Sequence, residues 1–258
     1  MNEIGVEIGD DHVATVELRR PPNNTLDMDL VRQLADALHE LDGDRRVRAT
    51  VLAAAGKHFC GGIDLGKRIA DTTAGVEVPE FNPLYAQAVR LCEVVKPVVV
   101  AVQGAAVGGG FGMTMVFDFR VACPEARFAP NFAQLGTHHG FGLSVTLPAV
   151  VGIQKAQELL YLGKRIDGMR AFELGLCDRL VPLDRLRAEA HSFAAEIASS
   201  APLAVQAIRS TLRRGLAAQV KAATDHEHRE QTRMRATSDN VEGMRAMSER
   251  RAPVFTGT

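Results

Sequence analysis

The sequence has few of the features that mark a metal site, a secreted scaffold or a nucleic-acid-binding surface. Its 258 residues include four cysteines, which stand singly, without metal-ligand spacing or a dense disulfide framework. The 30 Lys and Arg balance 31 Asp and Glu, so the net charge of −1 gives no electrostatic reason to expect nucleic acid or an anionic membrane as partner. We therefore expect no bound metal, no nucleic-acid partner and a reducing, cytoplasmic location.

Signals for secretion or membrane insertion are also missing. Residues Met1 to Gly5 lack the basic flank and apolar stretch of a signal peptide. The run from Pro97 to Phe117 has about the length of a membrane span, but glycines interrupt it. Its first part, Val98 to Val102, is rich in β-branched residues, as in a strand buried on both faces. We expect a buried strand, a glycine turn and a short helix here, and no membrane partner.

The apolar pattern predicts a mixed α/β core followed by helices. Strand patterns such as Val13 to Leu18 and Ala49 to Ala54 alternate with amphipathic segments, one of which follows a capping aspartate, Asp27. Asp71 to Pro83 has the composition of a loop, and the segments after Pro182 are all helical in pattern. We predict an α/β core over residues 1-182 and a C-terminal helical region over residues 183-258.

One apolar stripe in the helical region has two interpretations. Val205, Ile208 and Leu212 recur at helical spacing within an otherwise charged segment. The stripe could pack on the α/β core, or it could form a contact between subunits. The pattern favours neither interpretation.

Two glycine-rich turns, each placed after a predicted buried strand, are the most informative features. In the second, Gly108 to Gly110 leads directly into the apolar segment Phe111 to Phe117. A helix N-terminus presents unpaired N–H groups, which suit an anion or a developing oxyanion. A single glycine triplet is more often a tight strand-to-helix turn without a ligand. The spacing of these glycines does not match a dinucleotide-binding loop.

Together the two turns resemble motifs of the crotonase (enoyl-CoA hydratase/isomerase) superfamily. The resemblance rests first on Phe59 to Leu65 and on Pro97 to Gly110. It continues through Phe128 to Gly136, the stretch from Gly163 to Pro182, and the terminal stretch from Glu242 to Gly257. These segments cover nearly the whole chain in the family's order.

The resemblance implies a fold, a substrate class and a set of site residues. The fold would be α/β, a crotonase-like spiral of ββα units with a C-terminal helical trimerisation region, assembled as a homotrimer or hexamer. The substrate would be an acyl-CoA thioester, so CoA is part of the substrate and no separate cofactor is expected. The N–H groups of Ile63 and Gly109 would bind the thioester oxygen. The expected substrate contacts are Lys57, Gly61, Asp64, Leu65, Asn131 and Phe132.

The chain departs from the family at both positions matched to catalytic glutamates. Gly112 and Phe132 stand there, and neither side chain can move a proton. His138 and His139 follow in the stretch expected to line the acyl pocket, and histidine is the commonest general acid or base. They are therefore candidate proton carriers, although ordinary polar loop residues would give the same pattern.

Three functions remain open from the sequence. The first is an enoyl-CoA hydratase/isomerase-type lyase or isomerase, as in fatty acid metabolism, with non-standard acid/base residues. The second is an acyl-CoA-binding protein that has lost catalysis. The third is a carbon–carbon bond hydrolase of the same superfamily that acts on a diketone and needs no CoA.

Overall fold

The computed structural model describes residues 3–74, 76 and 79–258. Its strands are β1 Ile4–Ile8, β2 Val13–Leu18, β3 Ala49–Ala54, β4 Val98–Val102, β5 Ala105–Val107, β6 Phe119–Ala122, β7 Arg127–Ala129, β8 Ile166–Asp167 and β9 Arg179–Leu180. Its α-helices are α1 Met28–Gly43, α2 Leu65–Thr73, α3 Pro83–Glu93, α4 Gly109–Val116, α5 Leu143–Val151, α6 Ile153–Leu162, α7 Gly168–Glu173, α8 Leu186–Ala198, α9 Pro202–Leu212, α10 Leu216–Arg235 and α11 Ser238–Glu249. Two short 3-10 helices span Ala133–Leu135 and Leu183–Arg185.

The described strands form two sheets. The larger sheet has the order β1-β2-β3-β4-β6-β9, and only its β1–β2 pair is antiparallel. The smaller sheet has the order β5-β7-β8. All five residues of β4 are fully buried, as expected for a central parallel strand covered on both faces. The chain leaves β4 through Gln103 and Gly104 and enters β5, which carries it into the second sheet.

Local sequence signals explain the first helix well. Asp27 adopts extended backbone angles, and its side chain accepts a hydrogen bond from the Leu30 N–H, which makes it the N-cap of α1. Leu30, Leu34 and Leu38 point into the core with exposures of 0 to 1%. The predicted cap, helix and strands β2, β3 and β4 are confirmed.

The region after residue 182 contributes to the core of the chain. Leu186, Ala190, Ala194 and Ala198 lie one helical turn apart along α8 and are buried against the larger sheet. This packing covers the sheet face opposite to α1. Residue 182 therefore marks the change from mixed α/β structure to helices. That it is also a boundary between domains stays a prediction.

Helix α9 packs on the rest of the chain through a buried arginine. Its inward side carries Arg209, which is buried and donates from Nε to both Asp118 carboxylate oxygens, at 2.9 and 3.1 Å. The Arg209 guanidinium also donates to the Val94 carbonyl oxygen. Ile208 and Leu212 of the predicted apolar stripe are 60% and 81% exposed. These two residues of the stripe therefore do not pack on the core of this chain.

Two expectations from the sequence need correction. Asp71 to Pro83 is not entirely a loop, because α2 continues to Thr73; residues 75, 77 and 78 lie outside the described part. The short apolar helix begins at Gly109 rather than Phe111, since the glycine triplet forms its first turn.

All four cysteines are unpaired and buried. Among the described residues, no helix is long and apolar enough to cross a membrane.

Candidate active site

Backbone hydrogen bonds join the two glycine-rich turns side by side. The Cys60 N–H donates to the Ala105 carbonyl at 2.9 Å, and the Val107 N–H donates to the Cys60 carbonyl at 3.0 Å. The segment before Ile63 thus runs parallel to β5, which leads into α4. Because both segments run in the same direction, the turns that follow them open at the same end.

Two glycines allow this close approach. Gly62 has a φ of +83°, and a Cβ there would lie 2.7 Å from the Val107 carbonyl oxygen. A Cβ on Gly110 would lie 2.6 Å from the Cys60 carbonyl oxygen. Both contacts are with backbone atoms, which cannot rotate away as a side chain can. Glycine is therefore required at these positions to keep the two turns together.

The N–H groups of Ile63 and Gly109, in these two turns, have no partner among the described residues. Gly109 is the first residue of α4, so its N–H belongs to the first turn, where helix N–H groups have no intrahelical acceptor. The helix dipole adds partial positive charge at this end.

Both residues line the main cavity, whose volume is about 270 Å³. The two turns and the segment before α1 form one wall, and α2, α3, the stretch after β7, α10 and α11 form the others. The residues that line the cavity are Leu26, Gly61, Gly62, Ile63, Leu65, Arg68, Asn82, Leu84, Tyr85, Val107, Gly108, Gly109, Asn131, Phe132, Leu135, Thr137, Gly140, Phe141, Gln231, Asn240, Met244 and Met247.

The described cavity lining contains no carboxylate, histidine or thiol. Its titratable side chains are Arg68 and Tyr85. The Tyr85 hydroxyl donates to Gln231 Oε1 at 2.9 Å, and burial, followed by the nearby Glu227 carboxylate, raises the pKa of this phenol. Tyr85 is therefore neutral near pH 7 and a poor base. Asn240 donates from Nδ2 to the Leu135 carbonyl, and its buried Oδ1 has no partner among the described residues.

Gly112, matched by the resemblance to a glutamate position, points toward a buried aromatic ring. A Cβ on Gly112 would lie 2.6 Å from Phe141 Cβ. Phe141 is 1% exposed and has a φ of +63°, an uncommon conformation for a residue with a large side chain. Phe141 thus occupies the space into which a side chain at position 112 would extend.

Glu227 of α10 holds the segment that carries Phe141. Its fully buried carboxylate accepts from the N–H groups of Gly142 and Ser144, at 2.9 and 3.1 Å, and from Ser144 Oγ at 2.7 Å. Gly142 is the N-cap of α5, so a side chain from a distant helix caps this N-terminus. A negative charge at this position satisfies free N–H groups and complements the helix dipole.

His138 and His139 lie beside the cavity but are not part of its lining. Their rings stack on each other with centroids 4.1 Å apart, and His226 contacts His138 edge-on. His139 Nε2 lies 2.8 Å from Ser144 Oγ, whose own proton points to Glu227. Burial first, then the neighbouring His138 and His226, lowers the pKa of His139 to about 4. Their role as proton carriers stays a prediction, which this geometry does not favour.

Four of the expected substrate contacts line the cavity and two do not. Gly61, Leu65, Asn131 and Phe132 line it. Lys57 is exposed outside it, and Asp64 caps α2 by accepting from the Lys67 N–H at 3.0 Å. Asp64 is thus a positioning residue for the helix that follows Ile63.

Sequence reasoning missed the residues that α3 and α10 bring to the site. Tyr85 and Gln231 line the cavity although 146 positions separate them. His228, in the charged segment after Pro182, is only 8% exposed and lies 2.8 Å from the Pro79 carbonyl oxygen through Nε2. Among the described residues, no cluster of His, Cys, Asp and Glu could hold a metal ion.

Known proteins resemble this chain along nearly its whole length. The sequence model of the enoyl-CoA hydratase/isomerase family matches residues 9–258. The chain is 32% identical to crotonyl-CoA hydratase of Syntrophomonas wolfei over 249 residues, which covers 95% of each protein. It is 31% identical to 1,2-epoxyphenylacetyl-CoA isomerase of Escherichia coli K12 over 252 residues, again 95% of each.

Solved structures show the same architecture. The crystal structure of an enoyl-CoA hydratase/isomerase from Pseudoalteromonas atlantica T6c superposes with a TM-score of 0.84 at 29% identity, covering 98% of this chain and 100% of that one. The predicted crotonase-like α/β fold with a C-terminal helical region is therefore confirmed. The chain belongs to the enoyl-CoA hydratase/isomerase family.

Proposed function

We propose that this protein binds an acyl-CoA thioester and stabilises its enolate with the N–H groups of Ile63 and Gly109. The observation that carries the proposal is the pair of unpartnered N–H groups at one end of a largely apolar cavity. Removing an α-proton, or adding a nucleophile at the β-carbon, moves negative charge onto the thioester oxygen. Two preorganised N–H donors stabilise that charge, and each is worth about 2.7–4 kcal/mol of barrier.

Hydration by two glutamates is not part of this proposal. Gly112 and Phe132 bring no proton carrier to the cavity, and no other carboxylate lines its described part. A general acid or base typically contributes about 10² to 10⁴-fold. We therefore expect crotonyl-CoA hydration to be slower than in a two-glutamate enzyme by at least this factor.

Exchange of the α-protons tests the proposal directly. The protein is mixed with a panel of saturated acyl-CoA esters in D₂O, and loss of the α-proton signal is followed by NMR for wild type, His138→Gln, His139→Gln and the double variant. Exchange in wild type supports enolate stabilisation. Loss of exchange in a histidine variant would assign the proton transfer to that histidine, and equal rates would exclude both.

A second candidate, a non-catalytic acyl-CoA-binding protein, is favoured by the described cavity lining without carboxylate or histidine. A thermal-shift screen separates the candidates. A ligand present at 100 times its Kd raises the free energy of unfolding by about 2.7 kcal/mol. Stabilisation by acyl-CoA esters without any α-proton exchange supports the binding protein. Stabilisation by diketones but not by CoA esters supports the carbon–carbon bond hydrolase.

We also propose that α9 lies in a subunit interface of a trimer or hexamer. Leu203, Ile208 and Leu212 are 79%, 60% and 81% exposed on one helix, a cluster that a stable monomer would leave in water. Light scattering should give a mass of at least three chains for wild type. Leu212→Glu should lower that mass, whereas Val6→Glu, at an exposed position of β1, should not. A wild-type mass of one chain would contradict the proposal.

A further inference from the structure

Two polar side chains of the cavity lining, those of Asn131 and Thr137, have no hydrogen-bond partner among the described residues. Both residues are half-buried. Elsewhere in the lining, the Tyr85 hydroxyl donates to Gln231 Oε1, and Gln231 Nε2 donates to the His138 carbonyl oxygen at 3.0 Å. The amide of Asn131 and the hydroxyl of Thr137 are therefore available to a molecule bound in the cavity.

The backbone places these two side chains in the same part of the cavity. The Thr137 N–H donates to the Phe132 carbonyl oxygen at 3.1 Å, which holds Thr137 against the neighbour of Asn131. A Cβ on Gly108 would lie 3.5 Å from Asn131 Oδ1. Gly108 directly precedes Gly109, whose N–H binds the thioester oxygen in the proposed function. Asn131 and Thr137 therefore lie beside the turn that holds the thioester.

The chemistry of this pair is that of two neutral donors. An amide N–H₂ and a hydroxyl O–H can each donate to an oxygen that gains negative charge. Neither group removes a proton near pH 7, and the described lining has no carboxylate, histidine or thiol that could do so. Such a cavity suits a substrate whose α-proton is already acidic. An α-carbon between two carbonyl groups has such a proton, because the charge left by its removal spreads over both oxygens.

We propose that the substrate is a β-oxoacyl-CoA thioester, whose β-oxygen accepts hydrogen bonds from the Asn131 amide and the Thr137 hydroxyl. The inference rests on the proposed function and names the acyl group. When the α C–H bond breaks, its proton passes to solvent water, and the electron pair is shared by the two oxygens. The Ile63 and Gly109 N–H groups bind the thioester oxygen, and the second pair of donors binds the β-oxygen.

Matched esters that differ only at the β-carbon test this assignment. Calorimetry gives the affinities of β-oxobutanoyl- against butanoyl-CoA and of β-oxohexanoyl- against hexanoyl-CoA. We expect the β-oxo member of at least one pair to bind wild type about tenfold more tightly. Asn131→Leu and Thr137→Val each delete one donor without deleting a described hydrogen bond, and each should lower this ratio by about threefold or more. Thr15→Val, at a half-buried threonine of β2 outside the described lining, is the matched control and should leave the ratio unchanged.

The bound enolate gives a second readout, which is spectroscopic. Enolates of β-dicarbonyl compounds have an absorption band in the near ultraviolet that the ketone form lacks. With β-oxohexanoyl-CoA bound to wild type, this band should appear at lower pH than with the free ester. Asn131→Leu should move the titration back toward that of the free ester. A purely structural role for Asn131 would change the amount of ester bound and leave the titration of the bound ester where it is.

The outcomes separate this inference from the proposed function. If no ester of either kind binds, the proposed function itself is wrong. If both members of each pair bind wild type equally well, or if the ratio survives in both variants, only the site for the β-oxygen is wrong. If diketones without CoA bind and the esters do not, the carbon–carbon bond hydrolase is supported and the inference is overturned.

Discussion

The cavity has two walls built in different ways. One presents backbone N–H groups from the turns at Ile63 and Gly109, and its shape is fixed by glycines and backbone hydrogen bonds. The other presents side chains, among them Phe132, Phe141 and Gln231. The first wall carries the N–H groups that the family resemblance assigns to the thioester oxygen, while the described lining of the second contains no carboxylate. Backbone N–H groups can stay in place while the side chains opposite them change. The two N–H groups therefore do not require the side-chain wall to support the same reaction.

Removing one N–H from the backbone wall should have the largest effect. Gly109→Pro deletes the donor at the first position of α4, where proline suits the helix backbone. We expect α-proton exchange of an acyl-CoA to fall by about 10² to 10³-fold. On the opposite wall, Phe132→Leu should change the rate by less than about tenfold. Equal losses of exchange rate in both variants would contradict the proposed difference between the two walls.

A stability measurement on Gly109→Pro shows whether a loss of exchange comes from the missing N–H or from unfolding of the variant. The ring of proline would approach Leu26, because a Cβ on Gly109 already lies 2.5 Å from Leu26 Cδ2. If Gly109→Pro unfolds at much lower denaturant concentration than wild type, an ester linkage at position 109 removes the N–H without adding atoms. The same loss of exchange is expected there.

The side-chain wall depends on Glu227 for its position. Glu227→Ala should lower the free energy of unfolding by about 3 kcal/mol, because the N–H groups of Gly142 and Ser144 lose their buried acceptor. Glu230→Ala, one turn later, removes an exposed ion pair with Arg233 and should leave the free energy of unfolding nearly unchanged. Urea titrations of the three proteins measure both values, and equal losses would exclude a special role for Glu227.

A double-mutant cycle tests whether Phe141 fills the space beside Gly112. Gly112→Ala should cost about 1–3 kcal/mol, since the new Cβ would overlap Phe141 Cβ. In the background of Phe141→Gly, which also relieves the positive φ, the same substitution should cost nothing. The expected coupling free energy is therefore about 1–3 kcal/mol, and additive values would show that the two positions are independent.

The effect that develops most gradually is a pH dependence of stability at the edge of the side-chain wall. The pKa of His139 is lowered from 6.5 to about 4 in the folded chain, so the unfolded state binds the proton first as the pH falls. Stability is complete above pH 6.5 and is lost between pH 6.5 and 4, with a slope of at most about 1.4 kcal/mol per pH unit. His139→Gln should flatten this slope, and His191→Gln, at a half-buried histidine of α8, is the control.

The sequence predicted best what depends on neighbours in the chain. The Asp27 cap, the strand Val98–Val102 and the glycine turns all follow from local pattern, and the structure has them. The cavity wall from α10 could not be predicted in this way, because Gln231 meets Tyr85 only through the packing of distant helices. The histidine pair shows the same limit, since pattern gives a residue's place in the chain and not the direction of its side chain, and its role stays a prediction.

Helix α10 carries three residues that serve different parts of the site. Glu227, Gln231 and Arg235 follow one another at intervals of four along one face, where they cap α5, line the cavity and line a smaller pocket beside it. Deleting one residue between Gly215 and Glu227 would turn that face by about 100° relative to the start of the helix. All three contacts would then be lost together. A single-residue deletion within α10 should therefore be as damaging as losing the whole helix.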